Sequence, residues 1–557
     1  MRRPTLFFAL ASLLGAAACG DDSGGSIPDS PVHTPDSPVV TPDAPAVDVT
    51  AALHDKVKTV VVIFAENRSF DNQYGDFPGA NGIPGVSSTS TGTIHTQIDR
   101  DSTTLEKLPM AWGGVTASGF QPTITQAMSD NLANAPYPLE DTYDQMTTGV
   151  VTRDLYHRFF ENQMQIDGGA NDKFAAWADS GGLVMGYYTT HGELWNLASH
   201  YALADNFFMG AFGGSFLNHQ YLICGCAPQY PDADTAAAAP TIAHIQTDPD
   251  GDFMALTMGA TNPGSAIEGA PVYELSGNVT PANYFGDDMF YAVNTMQPAY
   301  QPSGNAPAGD DADKLYANPL AATTLPPQTQ LTIGDQLTAK GVAWRWYSGA
   351  WSETLGEATS DRAFPPSNFP GAAPNFQFHH QPFNYYTAFD PVAHADARTE
   401  HLRDYDDLVS DITAGTLPPV VFYKPEGDLN QHAGYSSVAA GDHHIAKLVE
   451  ALEASPQWDN MIVVITYDEN GGWWDHVAPP KGDLLGPGTR IPAIVVSPFA
   501  KPGFVDHTQY DTASILRLIA RRFDLTALPG VAARDAALVS NGGTAMGDLT
   551  NALDFAH

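Results

Sequence analysis

The stretch Lys56-Val-Lys-Thr-Val-Val-Val-Ile-Phe-Ala65 decides the fold. A continuous β-branched and apolar run of this length reads as a strand buried on both faces, since a half-solvated strand would alternate apolar and polar residues. Polar residues follow at once, in Glu66-Asn67-Arg68-Ser69-Phe70-Asp71. The same grammar returns toward the C-terminus. Pro418–Tyr423 reads as a strand, Ser437–Ala454 as an amphipathic helix, Asn460–Thr466 and Ile491–Val496 as strands, and Thr512–Phe523 as a closing helix. Strands alternating with helices predict an α/β fold with a mostly parallel central sheet and helices on both faces. In such sheets the functional groups gather outside the carboxyl ends of the strands. Glu66-Asn67 and Asp468-Glu469 each stand directly after a buried strand.

The chain has 557 residues, 43% hydrophobic and 16% charged, enough to bury a large core. Asp and Glu number 63 against 25 Lys and Arg. That excess argues against nucleic acid as a partner, because a phosphate-backbone groove needs a basic footprint. An anionic substrate must be drawn by a local source, such as a bound cation or a histidine cluster.

Arg2 and Arg3 precede an apolar run, Leu6 to Ala18, too short to span a bilayer, so residues 1–19 read as an export signal. Ala16-Ala17-Ala18-Cys19 before Gly-Asp-Asp has the form of a lipoprotein processing site, which predicts a membrane anchor at Cys19 and a location facing the periplasm or cell surface. Residues 20–50 are rich in Pro, Asp and Ser, with a near-repeat at Pro28-Asp-Ser-Pro-Val and Pro35-Asp-Ser-Pro-Val, and read as an extended tether. Residues 51–557 then form the catalytic domain, carrying an irregular insertion at about 227–330 that is expected to border the substrate cleft. Within it, Asp248-Pro-Asp250-Gly-Asp252 superficially has the form of a calcium loop, but position twelve would be Gly259, so a turn is expected. Cys224 and Cys226 are one residue apart, a spacing at which a disulfide is strained at best, so the fold is expected not to be held by disulfides.

Four constellations carry chemistry. Glu66-Asn67 offers acidic and amide oxygens of the kind a hard divalent cation takes. Asp468-Glu469, followed by Asn470-Gly471-Gly472-Trp473-Trp474-Asp475-His476, sets two carboxylates side by side in apolar surroundings, and a metal is the economical way to neutralise them. The tryptophans read as walls and core. Gly213-Gly214-Ser215-Phe216-Leu217-Asn218 offers a hydroxyl among small residues. It lacks the second glycine of a hydrolase nucleophile elbow, because Leu217 stands there. His157, His379-His380 and His432 are candidates for binding phosphate oxygens and for protonating a leaving group. No pair has the His-Glu-x-x-His spacing of a zincin, and His443-His444 fall inside a predicted helix, where a structural or surface role is expected.

Taken in order, these segments resemble the bacterial phosphoesterase family of acid phosphatases and phospholipases C, within the alkaline-phosphatase-like superfamily. The resemblance runs through Glu66–Asp71, His157, His200–Asp205, Asn218-His-Gln-Tyr, His379-His380-Gln-Pro-Phe, Lys424-Pro-Glu-Gly, His432, Tyr467–His476, Arg490-Ile-Pro, Val496-Ser-Pro-Phe and Asp506-His-Thr, and so covers about residue 56 to the end. It implies that Glu66, Asn67, Asp468 and Glu469 bind one divalent metal. It also implies that Ser215 is the nucleophile, touching that metal, and that His157, His379, His380 and His432 surround the phosphoryl group. Where the family commonly has Pro before the Asn of the nucleophile segment, this chain has Leu217. The implied activity is that of an exported, metal-dependent phosphoesterase acting on phosphate esters. Family phospholipases C append β-rich domains, whereas this chain stops about thirty residues after Arg521-Arg-Phe-Asp-Leu, which favours an acid-phosphatase-like enzyme. The alternatives are a phospholipase C acting on phospholipid headgroups and, from another class, a non-catalytic metal- or ligand-binding surface lipoprotein. The sequence leaves the oligomeric state and the metal open.

Overall fold

The computed structural model describes residues 48–358 and 375–556; the segment expected to be an export signal, Cys19 and most of the expected tether lie outside these. Nine strands make the central sheet: β1 Thr59–Ala65, β2 Ala202–Phe208, β3 Trp344–Ser348, β4 Leu402–Asp404, β5 Val420–Lys424, β6 Met461–Tyr467, β7 Arg490–Val496, β8 Phe504–Asp506 and β9 Tyr510–Asp511. Their order is β8-β2-β7-β6-β1-β5-β3-β4, with β9 beside β2. Neighbours run parallel except at β7, which is antiparallel to both β6 and β2. Every residue of β1, β5, β6 and β7 is buried, so the sheet is covered on both faces, as the unbroken apolar runs require. The strands expected near residues 56–65, 418–423, 460–466 and 491–496 are all present, their ends within two residues of expectation except that β1 begins three residues late, because Lys56 closes the helix Val49–Lys56.

Helices follow local signals. Ser437 caps Val438–Glu453 by accepting from Ala440 N, and Asp511 with Ser514 forms a reciprocal cap on Thr512–Phe523, which stops at Asp524 in the left-handed region. Val438–Glu453 packs on the helix Glu193–His200, and Thr512–Phe523 packs on the helix Ser215–Cys224. His443 is exposed beside Glu193, and His444 accepts from the Tyr423 hydroxyl at 2.7 Å, so both serve the helix surface.

Residues 227–330, read from the sequence as an insertion, are irregular apart from a single 3-10 turn, Ala239–Thr241, and a short hairpin, Ile245–Thr247 with Phe253–Leu256. The acidic stretch at its tip is the expected turn: Asp248 Oδ1 accepts from the backbone of Asp250 and Asp252. Cys224 and Cys226 are joined, because Gly225 takes φ 62° at the helix end and brings their Cα atoms to 5.1 Å. The link closes a local turn and ties no distant segments together.

Candidate active site

β1 and β6 are paired in register, so Ala65 lies opposite Tyr467 and the residues that follow leave the sheet side by side. The backbone keeps them together: Asp468 N donates to Ala65 O at 3.0 Å, and Arg68 N donates to Glu469 O at 3.1 Å. Asn67 takes φ 65°, a turn that puts its own N–H on Asp468 Oδ1 at 3.1 Å. Asn is among the few residues with a side chain that adopt this conformation cheaply. Glu66, Asn67, Asp468 and Glu469, four positions read from the sequence, are thus one fully buried cluster at the carboxyl ends of β1 and β6.

Ser215 arrives from the other side. After β2 the chain turns through Gly213 at φ 88°, where a Cβ would stand 2.4 Å from Phe159 N, and through Gly214, where one would stand 2.7 Å from His157 O. Only glycines allow this loop to lie against the His157 segment. Asn218 clamps it, exchanging hydrogen bonds with Ala211 at 2.9 and 3.1 Å. Ser215 then opens the helix Ser215–Cys224, where free backbone N–H groups favour negative charge. Its hydroxyl lies 3.1 Å from Asn67 Oδ1 and 3.3 Å from Glu469 Oε1. The one hydroxyl proton is shared between two acceptors, so three oxygens converge on one point.

The histidines divide into two pairs. His157 donates from Nδ1 to Leu155 O, which leaves Nε2 facing Asn67 Nδ2 at 3.5 Å and Glu469 Oε1 at 3.6 Å. His432 lies edge-on to it, with ring centres 5.6 Å apart, and stacks on Tyr435. His379 and His380 instead face Glu66, at 3.9 and 2.6 Å from Oε1. Burial lowers the pKa of His157 and His432, and that of His379 further, while it takes His380 down to about 4 even though Glu66 opposes the shift. A cavity of about 360 Å³ opens onto Ser215, lined by His157, Arg158, His379, His432 and Tyr435, and the insertion contributes Asn294 and Thr295 to its wall.

The carboxylates differ in their electrostatics. Burial raises Asp468 to about 7, against the pull of Lys424, and raises Glu469 well above the usual carboxylate range, with Asp468 adding to the shift. Glu66 goes the other way: burial favours its protonation, but His380 and Lys424 outweigh that and hold it well below. Its Oε1 receives Lys424 Nζ at 2.9 Å, and its Oε2 accepts from Asn430 at 2.5 Å and Tyr435 at 2.9 Å. Asp468 Oδ2 is buried with no hydrogen-bond partner, 3.7 Å from His219 Nδ1. An orphaned carboxylate oxygen beside Glu469, Asn67 Oδ1 and the Ser215 hydroxyl is a donor set that a hard divalent cation fits.

Lys424, His219, Asn430 and Tyr435 join the site without having been assigned a role from the sequence. His219 had a signal, since it lies one turn after Ser215 on the same helix face, and its Nδ1 donates to Ser215 O at 2.8 Å. Behind the cluster, Arg490 at the start of β7 binds Asp71 at 2.9 Å and Asp475 at 3.0 Å, while His476 Nδ1 meets Asp71 at 2.7 Å. These fully buried groups anchor the loop after Glu469, and Trp473 and Trp474 seat it in a second apolar core with Leu155 and Val184.

The phosphoesterase family model matches residues 57–526, and the chain belongs to that family. It is a hydrolase acting on phosphoric ester bonds. It is 23% identical to phospholipase C B of Mycobacterium tuberculosis over 533 residues, covering 90% of this chain and 78% of that protein. It is 24% identical to phospholipase C A of the same organism with the same coverage. A non-hemolytic phospholipase C of Pseudomonas aeruginosa is 26% identical over 261 residues, 41% of this chain and 34% of that one. A solved protein in the alkaline phosphatase superfamily from Vibrio parahaemolyticus overlays loosely, with 10% identity, a TM-score of 0.26, and coverage of 62% of this chain and 63% of that one.

Proposed function

We propose that the chain is an exported, metal-dependent phosphoesterase that works through Ser215. The carrying observation is the convergence of the Ser215 hydroxyl, at a helix N-terminus, with Asn67 and Glu469 beside an orphaned Asp468 oxygen. Glu66, Asn67, Asp468, Glu469 and Ser215 would hold the divalent ion. That ion, when bound, supplies positive charge against the negative charge that builds up on the reacting oxygens. Ser215 Oγ, its proton having passed to water in the cavity, attacks phosphorus in line with the departing alcohol. His157 or His432, both on the cavity, protonates that alcohol from its imidazolium form, which burial shifts to more acidic pH than an ordinary histidine's, and the helix N-terminus supports the phosphoryl oxygens. Water then hydrolyses the phosphoserine and returns the hydroxyl.

On substrate, the acid-phosphatase expectation gives way to phospholipase C as the first reading, because the relatives that span most of the chain carry that name. The export signal and the lipid anchor at Cys19 belong to this proposal. Among the described residues no helix is long and apolar enough to cross a membrane.

The test is hydrolysis of 4-nitrophenyl phosphate and of 4-nitrophenyl phosphorylcholine by purified protein, before and after exhaustive chelation. The expected result is turnover of at least one ester, with the phosphorylcholine ester preferred. Chelation should reduce the rate by a factor on the order of 10³, and a divalent ion should restore it. Turnover that survives chelation unchanged would sink the metal-dependent reading. Absence of turnover on both esters would favour a non-catalytic binding protein.

A further inference from the structure

The donor atoms around Glu66 fall into more than one group with the spacing of metal ligands. Donor atoms of Glu66, His379 and His380 lie within 4.8 Å of one another, as do those of Glu66, His219 and Asp468. One carboxylate with two imidazoles is an ordinary zinc ligand set. All of these residues are buried, and His379 Nε2, His380 Nδ1 and His219 Nε2 have no hydrogen-bond partner. Yet the position beside Glu66 Oε1 is taken by the chain itself: Lys424 Nζ lies 2.9 Å from that oxygen.

We propose that Lys424 is a tethered second cation of the active site, holding the place beside Glu66, His379 and His380 that a second divalent ion would otherwise fill, and so limiting the enzyme to one metal ion. The proposal rests on the phosphoesterase reading above. Lys424 is the last residue of β5, next to β1, and is fully buried. A buried ammonium is tolerated where it meets a carboxylate, and here its position follows from the end of a strand whose other residues are all apolar or aromatic. Charge balance gives it a purpose. Glu66, Asp468 and Glu469 carry three negative charges when ionised, and one divalent ion leaves one of them uncancelled. A phosphate ester anion entering that field would be repelled. Lys424 removes the remaining charge, without the entropic cost or concentration dependence of capturing a second ion. Its role is positioning and charge balance, since the groups it meets lie behind the cavity that opens onto Ser215.

The experiment measures zinc bound per chain, by dialysis against zinc followed by elemental analysis, for the wild type, Lys424→Gln and Lys424→Arg. Wild type and Lys424→Arg are expected to hold one ion and Lys424→Gln two. Loaded with one equivalent of zinc, Lys424→Gln should lose about 100-fold in kcat on 4-nitrophenyl phosphate, and Lys424→Arg should recover most of that loss. Two zinc ions in the wild type, or one in a folded Lys424→Gln, overturn the proposal. If thermal melts show that Lys424→Gln does not fold, Lys424→Arg decides. One ion with most of the activity supports the proposal, and a second ion overturns it. Failure of the phosphoesterase reading would appear separately, as a wild type that binds zinc but hydrolyses neither ester.

Discussion

Ser215→Ala should abolish hydrolysis of whichever 4-nitrophenyl ester the wild type turns over, with kcat reduced by a factor on the order of 10⁴ or more and the fold intact. The size follows from the role. Removal of a covalent nucleophile removes the pathway, whereas removal of a binding group weakens one contact. The fold should survive because Ser215 supplies no cap to its own helix, and its hydroxyl faces groups of the proposed cation site, Asn67 and Glu469 among them. Alanine keeps the Cβ and leaves Gly213 and Gly214 free to pass the His157–Phe159 segment. Circular dichroism and a zinc-dependent thermal shift would separate loss of chemistry from loss of structure. A variant keeping more than a tenth of wild-type kcat would mean that another group attacks phosphorus.

Glu469→Gln should have two opposite effects. Activity should fall by a factor on the order of 10³, because one carboxylate of the proposed cation site becomes a neutral amide. Metal-free protein should become more stable. Burial, with Asp468 next to it, holds the Glu469 carboxyl well above its ordinary range, so its ionised form is a cost to the native state at neutral pH. The sign with pH follows from proton binding. A raised native pKa means the native state binds more protons than the unfolded chain above the ordinary value near 4.5. Metal-free wild type therefore gains stability as pH falls from 8 toward 5, and the glutamine variant gains less. Melting temperatures of the two metal-free proteins at pH 8 should differ by about 1–3 °C in favour of the variant. A less stable variant would show that Glu469 is structural, held by its bond from Gly471 N at 2.5 Å.

Much of this arrangement was legible in the sequence because it rests on long, unbroken apolar runs. β1 and β6 carry no polar residue before their ends apart from threonines, so the strand ends, and with them Glu66, Asn67, Asp468 and Glu469, could be placed to within a residue. β2 was not legible. Its sequence Ala-Leu-Ala-Asp-Asn-Phe-Phe breaks the run with Asp205, which is buried only because Asn81 N and His507 satisfy it from distant segments. The reversal of β7 was also hidden, since direction leaves no mark on hydrophobic pattern, and Ile491–Val496 reads the same either way. Lys424 shows the limit most clearly. A lysine closing an apolar strand reads as its solvent end, and only the neighbouring strand's Glu66 makes it a buried counter-charge. Pairing between elements far apart in sequence, rather than any local propensity, decides these cases.

The central claim is that phosphate passes through Ser215. Wild-type protein turning over whichever 4-nitrophenyl ester it accepts, quenched in acid and digested, can be read by mass spectrometry for the transferred phosphoryl group on the peptide containing Ser215. The account predicts phosphoserine at Ser215 that appears only with substrate and divalent ion present. Ser215 unmodified during turnover, with phosphate instead on a histidine peptide, would contradict it.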